Sequence, residues 1–228
     1  MKKRKLTNKC YLCGKEGACS RDHVPPKSLF PKEVRKIIKK NLLTLPAHSS
    51  CNNSFHQDDE LFRNLIIAHS YTTEQGRLAW DNIVVPSFKK NPGARIELLK
   101  RFERRFIKDE LLGAYVYTGV LKWEGSFIRK QIERINRGLY FHKFKQPLAL
   151  NIPISYRLYD NINILSKIIQ GFYEINIPQK WNHIIPGFFT YFFEMAEDDD
   201  RKGLSVLIFY DSLIFFCSIG FDWTKEDS

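Results

Sequence analysis

The spacing of apolar and polar positions changes period along this chain, and each change predicts an element. In SSCNNSFHQDDELFRNLIIAHSY, Ser and Asn stand at the start, acidic residues fill an early turn, and Phe55, Phe62, Leu65, Ile66 and His69 recur at helical intervals. One helix is expected there. Ahead of it, residues 10–23 read as a knuckle and short hairpin, SLFPKEVRKIIKK as a short helix after the Pro25-Pro26 turn, and NLLTLP as a strand closed by proline. The order is hairpin, strand, helix. VVPSFKKNPGAR has the Pro, Gly and Lys content of a linker, which predicts a boundary near residue 85 between units 1–85 and 86–228.

Beyond that boundary ARIELLKRFERRFIKDELL and FIRKQIERINRGLYFHKF read as basic amphipathic helices. The second places Ile128, Ile132 and Ile135 on one face and Arg129, Arg134 and Arg137 elsewhere, and its Arg-Gly step is expected to end it. FFTYFFEM, LSVLIFY and SLIFFCSIGF read as three strands, the first two joined by AEDDDRKG and the last two separated at Asp211. The fold class is therefore α+β, with a small N-terminal module, basic helices and a C-terminal antiparallel sheet.

Composition adds a polarity to this plan. The 228 residues carry a formal net charge of +11. Residues 147–228 hold 6 Lys and Arg against 11 Asp and Glu, so the positive excess belongs entirely to residues 1–146. A block of that sign attracts polyanions such as nucleic acid at long range, and a solubilising surface is the other reading of the charge. No run of 18 apolar residues occurs and MKKRKLTNK leads straight into cysteines, so the expectation is a soluble, cytoplasmic protein with no membrane partner.

Five cysteines are present, and Cys10, Cys13, Cys19 and Cys51 fall in the first quarter of the chain. In a cytosolic setting such clustering favours metal over disulfides. Cys10-x-x-Cys13 pairs with His48-x-x-Cys51 to give three thiolates and one imidazole, a closed tetrahedral set suited to structural zinc. A redox Cys-x-x-Cys is the other reading, and Cys19 is placed to compete with His48. Cys217, inside LIFFCSI, reads as a buried small hydrophobe.

Joining the two knuckles pins the hairpin that carries Asp22 and His23 against the start of the helix that carries Asn52 and His56. At i, i+4 the last two project from one face. Asp22, Asn52 and His56 then offer oxygen, oxygen and nitrogen to a second, harder ion such as Mg²⁺ or Mn²⁺, leaving His23 free. Asp58 or Asp59 could stand in for His56, although carboxylates there also suit a helix N-terminus. Bland readings stand beside these: His23 as a core histidine, His56 as a solvated one, and Trp123, Tyr140 and Phe141 as core aromatics rather than base-stacking platforms.

RDHVPPKSLF, NLLTLPAHSSCNNSFHQDDELF and the flanking Cys-x-x-Cys resemble the HNH endonucleases, the ββα-metal nucleases, and among them zinc-stapled bacterial members. The resemblance covers residues 10 to about 70. It implies a metal-dependent phosphodiester hydrolase acting on nucleic acid, DNA first, in a defence or restriction setting. It assigns His23 as general base, Asp22 and Asn52 as metal ligands, Asn41 as the residue orienting the catalytic loop, and His56 as a further ligand. The chemistry suits the residues, since a histidine with an ordinary pKa near 6.5 is largely neutral at cellular pH and accepts a proton from water directly. A binding module without catalysis, or a toxin-type nuclease held by an inhibitor protein docked through the C-terminal region, are the alternative functions.

Overall fold

The computed structural model describes residues 8–37, 42–109, 113–123, 125–159, 162–174 and 181–221. Asn41, expected to orient a catalytic loop, lies outside the described residues.

In the N-terminal part, strand β1 (Ser20–Val24) is followed by a single 3-10 turn and helix α1 (Lys32–Ile37), then by strand β2 (Leu43–Ala47), which runs antiparallel to β1 with Asp22 opposite Leu45 and His23 opposite Thr44. Two helices come next, α2 (Ser49–Asn53) and α3 (His56–His69), where the spacing predicted one. The break has a local cause. The Ser54 hydroxyl donates to the Cys51 carbonyl at 2.8 Å, the acceptor a continuous helix would offer to the Phe55 N–H, and that N–H turns to Asn52 at 3.4 Å.

The predicted linker is helical instead. Helix α4 (Glu74–Ala79) leads through a π-helical turn at Trp80–Val84 into α5 (Val85–Lys90), which with α6 (Pro92–Leu99) fills it, and proline sits in the first turn of α5 and of α6. At α6 proline is tolerated because a first-turn N–H has no intrahelical acceptor, while Pro86 follows directly on the π-helical turn, so the residues that suggested a boundary lie within helical chain. One continuous apolar core runs from Cys10, Tyr11 and Phe30 through Phe62 and Ile132 to Phe215 and Ile219.

A second correction follows α6. Residues predicted to continue as a basic helix form strand β3 (Phe102–Asp109), paired antiparallel with β4 (Ala114–Leu121) as a separate two-stranded ribbon. Phe102, Phe106 and Ile107 have the spacing of a helical stripe but are exposed, and eight cross-strand pairs with 114–121 take up the backbone instead.

Helix α7 (Ser126–Phe144) is the central strut, with twelve of its 19 residues buried. It does not end at Arg137-Gly138. A Cβ at position 138 would sit 2.7 Å from both Val24 methyls, so the glycine is there to let α7 lie against β1, and the helix runs on to a left-handed Lys145 (φ 59°). Strand β5 (Ile154–Tyr159), helix α8 (Ile162–Glu174) and strands β6 (Asn182–Ile185), β7 (Phe189–Met195), β8 (Gly203–Phe209) and β9 (Leu213–Ile219) complete the fold as a five-stranded antiparallel sheet ordered β5-β9-β8-β7-β6. The last three are the strands expected from sequence.

Alternation along these strands divides the sheet. Leu207, Phe209, Leu213, Phe215 and Cys217 face the common core, whereas Phe192, Val206, Ile208 and Ile214 pack with Phe172 of α8. Both faces are thus covered, which is why these strands read as nearly unbroken apolar runs. No helix among the described residues is long and apolar enough to cross a membrane.

Candidate metal centre and adjoining cleft

The thiols of Cys10, Cys13 and Cys51 and a ring nitrogen of His48 lie within 4.8 Å of one another. Two tight reversals build the first half: the Cys10 N–H donates to the Lys15 carbonyl and the Gly14 N–H returns to Cys10, both at 2.9 Å, with Gly14 at φ 75°. His48, preceding α2, and Cys51, within it, supply the second half. Separations of 3.3 Å from His48 Nδ1 to Cys13 Sγ and 3.9 Å to Cys51 Sγ bracket the N···S edge of a tetrahedron around a zinc ion, about 3.6 Å for ordinary Zn–N and Zn–S bonds.

The surroundings orient these donors. His48 Nε2 lies 2.8 Å from the Glu16 carbonyl, so that nitrogen carries the proton and Nδ1 presents its lone pair to the thiols. Burial alone would raise the Cys10 thiol, but backbone N–H groups around the knuckle, that of His48 among them, bring it below its ordinary value. Cys51 is pushed up to about 11 by burial and by the Cys13 and Cys10 thiols, a mutual penalty that a bound cation would remove. The four residues fit zinc. Cys19 stands apart, exposed, its sulfur 3.5 Å from the Ser49 hydroxyl.

This cluster holds β1 against α2 and α3, and a cleft of about 840 Å³ opens beside them. Arg21, Asp22, His23, Lys27, Asn52, His56, Asp59 and Arg134 line it, with α6 contributing Gly93, Ala94 and Glu97. The predicted residues Asp22, His23, Asn52 and His56 are therefore brought to one place, although Asn52 and His56 belong to separate helices.

His23 is half-buried and has no hydrogen-bond partner among the described residues. Burial, and then the Lys27 ammonium, lower its pKa below that of a free imidazole, so it is neutral near pH 7. Arg21 and Lys27 flank it and make no ion pair among the described residues. His56, the first residue of α3, is exposed to the cleft.

Asp22 is engaged differently from its expected role. Arg134 Nε donates to its Oδ2 at 2.8 Å and Nη2 to its Oδ1 at 2.5 Å, while the Tyr11 hydroxyl donates to Oδ2 as well. Arg134 Nη1 donates to Asp59 Oδ1 at 2.7 Å and reaches Gln131 at 3.4 Å, Nη2 lies 3.5 Å from Asn52 Oδ1, and the guanidinium covers the Phe55 ring at 4.6 Å. Its hydrogen-bonding fork is fully directed. Burial opposes the charge, but the Asp22 carboxylate, with Tyr11 and Asp59 beside it, holds Arg134 above its usual pKa. Burial and the Asp22 charge keep the Tyr11 hydroxyl protonated. Burial raises Asp59, against Arg134 and Gln131.

No family model matches the chain, and neither curated proteins nor solved structures give a match. The geometry alone carries the reading. For Asp22, Asn52 and His56 as a divalent-metal site, that geometry is unfavourable. A guanidinium already bridges the carboxylate and the Asn52 oxygen, so a dication on Asp22 would stand against a buried positive charge. The set does not fit Mg²⁺ or Mn²⁺ as arranged. Asp58 and Asp59 do not substitute for His56 either: they pair with Lys130 and Arg134 across α7.

The roles of Arg134, Gln131 and Tyr11 escaped the sequence reading, which set Arg134 only off the isoleucine face of a basic helix. A signal existed. Phe127, Gln131, Arg134, Gly138 and Phe141 recur at alternating intervals of four and three, the spacing of a buried stripe, and all five are buried. Trp123 packs edge-on against Phe215, and Tyr140 and Phe141 are buried, in keeping with the core reading of these aromatics.

Proposed function

We propose that this protein is a phosphodiester hydrolase of the HNH kind acting on nucleic acid, with DNA as the substrate. The observation that carries the reading is His23: a neutral imidazole in the cleft with no hydrogen-bond partner among the described residues, set between the cations Arg21 and Lys27, on a hairpin fastened by the Cys10–Cys13–His48–Cys51 cluster. Cations at the cleft wall hold a phosphate, and a neutral histidine beside it takes a proton from attacking water.

In this reading water gives a proton to a ring nitrogen of His23 as its oxygen bonds to phosphorus. The P–O3′ bond breaks, the departing oxygen takes a proton from His56 or solvent, and the new end carries a 5′ phosphate. Arg21 and Lys27 bear the added negative charge. Arg134 does not touch the phosphate. It neutralises Asp22 beside the cleft, so that an anion is not repelled.

A second reading, nucleic-acid binding without cleavage, is favoured by the occupation of Asp22 by Arg134. Plasmid nicking by the purified protein, with and without added Mg²⁺ or Mn²⁺, separates the two. Replacing His23 by Ala is expected to reduce nicking by about 10²–10⁴-fold with binding retained. Equal nicking by both proteins removes His23 from the mechanism. Binding with no nicking under any condition establishes the second reading.

A further inference from the structure

The β3–β4 ribbon leaves the body of the protein immediately after α6, one wall of the cleft. At its base the Lys122 N–H donates to the Arg101 carbonyl at 2.8 Å, and Arg101 lies over the Phe127 ring of α7 at 4.8 Å. Eight paired residues then extend roughly 27 Å at about 3.4 Å per residue. Among the described residues no other element covers the strands: residues 102–108 and 114–119 are exposed.

Register sorts the side chains onto two faces, because directly opposed residues share a side. Phe102, Arg104, Phe106 and Lys108 stand opposite Leu121, Gly119, Tyr117 and Tyr115, so one face interleaves rings with cations. Phe106 and Tyr115 are 68% and 70% exposed, and Tyr117 is 58% exposed. Phe106 and Tyr117 lie with centroids 5.0 Å apart. Arg104 and Lys108 make no ion pair among the described residues, whereas Glu103, on the opposite face, is neutralised by Lys122 at 2.8 Å. A bare ribbon carrying this much apolar surface invites aggregation unless a ligand uses it.

We propose that this face binds single-stranded DNA, bases stacking on Phe106, Tyr115 and Tyr117 while Arg104 and Lys108 contact the phosphates between them. Rings alternating with exposed cations complement a polymer in which flat bases alternate with anions. Duplex bases are already stacked and offer no such faces. The ribbon would hold a strand beside the cleft that acts on it, and to that extent the proposal rests on the reading of the cleft.

The test is fluorescence anisotropy of the full chain with labelled oligodeoxythymidylate, scored on uncut probe, alongside the RNA homopolymer and a duplex of equal length. Phe106→Ala and, separately, Tyr115→Ala are expected to weaken oligodeoxythymidylate binding by roughly fivefold to tenfold each. Their melting curves should match wild type, and Tyr115→Trp should bind as wild type does. Arg104→Gln should reduce the slope of log affinity against log salt by about 0.7. Unchanged affinity in both alanine variants overturns the proposal, as does a preference for duplex or RNA. A dimer that the same substitutions dissociate without loss of oligodeoxythymidylate binding would make the face a contact between copies instead. Nicking by His23→Ala at the wild-type rate would remove the reading of the cleft and leave these binding results standing.

Discussion

Arg134 grips the Asp22 carboxylate with two nitrogens across 112 residues of sequence, and both side chains are almost completely buried, at 3% and 5% exposure. The pair ties α7 to β1, and through Asp59 and Asn52 to α3 and α2. A cleft built from N-terminal residues therefore depends on a helix from the middle of the chain.

Breaking that pair from one side leaves an uncompensated charge in the core. Asp22→Ala and Arg134→Met are each expected to lower stability by about 3–5 kcal/mol, and the double variant by much less than the sum. Urea unfolding of the four proteins checks this. Additive losses would mean that the two side chains do not interact.

Two glycines in helices give opposite outcomes. Gly138→Ala drives a methyl into Val24 and should destabilise by about 1–3 kcal/mol. Gly171→Ala meets nothing within 4 Å and should stabilise by about 0.5–1 kcal/mol through helix propensity. Thermal melts of both variants read the difference directly.

Metal at the Cys10–Cys13–His48–Cys51 cluster would be coupled to folding, since it joins the knuckle at 10–13 to the segment at 48–51. Cys13→Ser should lower zinc content and shift the melting midpoint down by roughly 6–12 °C, taking about 3 kcal/mol at 2–4 °C per kcal/mol. Elemental analysis beside calorimetry measures both. Cys19→Ser, outside the cluster, should change neither.

The lowered pKa of His23 fixes the direction of its pH dependence. As a base it works when unprotonated, so nicking should rise with pH through a step below about pH 6.5 and then level off. Stability moves the same way. The unfolded chain binds the proton at higher pH than the folded one, so between the folded pKa and about 6.5 acidification favours unfolding. Histidine NMR titration locates the step, and a midpoint above 6.5 contradicts the burial argument.

How much was legible depended on whether the cause was local. The Cys-x-x-Cys and His-x-x-Cys spacings announced their cluster because ligand spacing is a property of short segments, and the strands from 189 onward declared themselves through apolar runs that only a covered sheet tolerates. The prolines at 86 and 92 were read as a linker because proline breaks and begins helices with equal ease, and only packing shows which. The stretch from 102 to 121 misled because Arg, Glu and Lys suit a helix by propensity, and its cross-strand pairing is invisible to a single-segment pattern.

The sequence by itself determined the metal cluster, the α+β class and the residue types gathered near His23. Only the tertiary structure decided what those residues do to one another. Asp22 reads as a metal ligand until Arg134, brought from 112 positions away by a helix whose glycine admits it to β1, occupies both of its oxygens. The physical reason is that ligand spacing is set by local geometry, whereas the partner of a buried charge is set by whichever element the core packs against it.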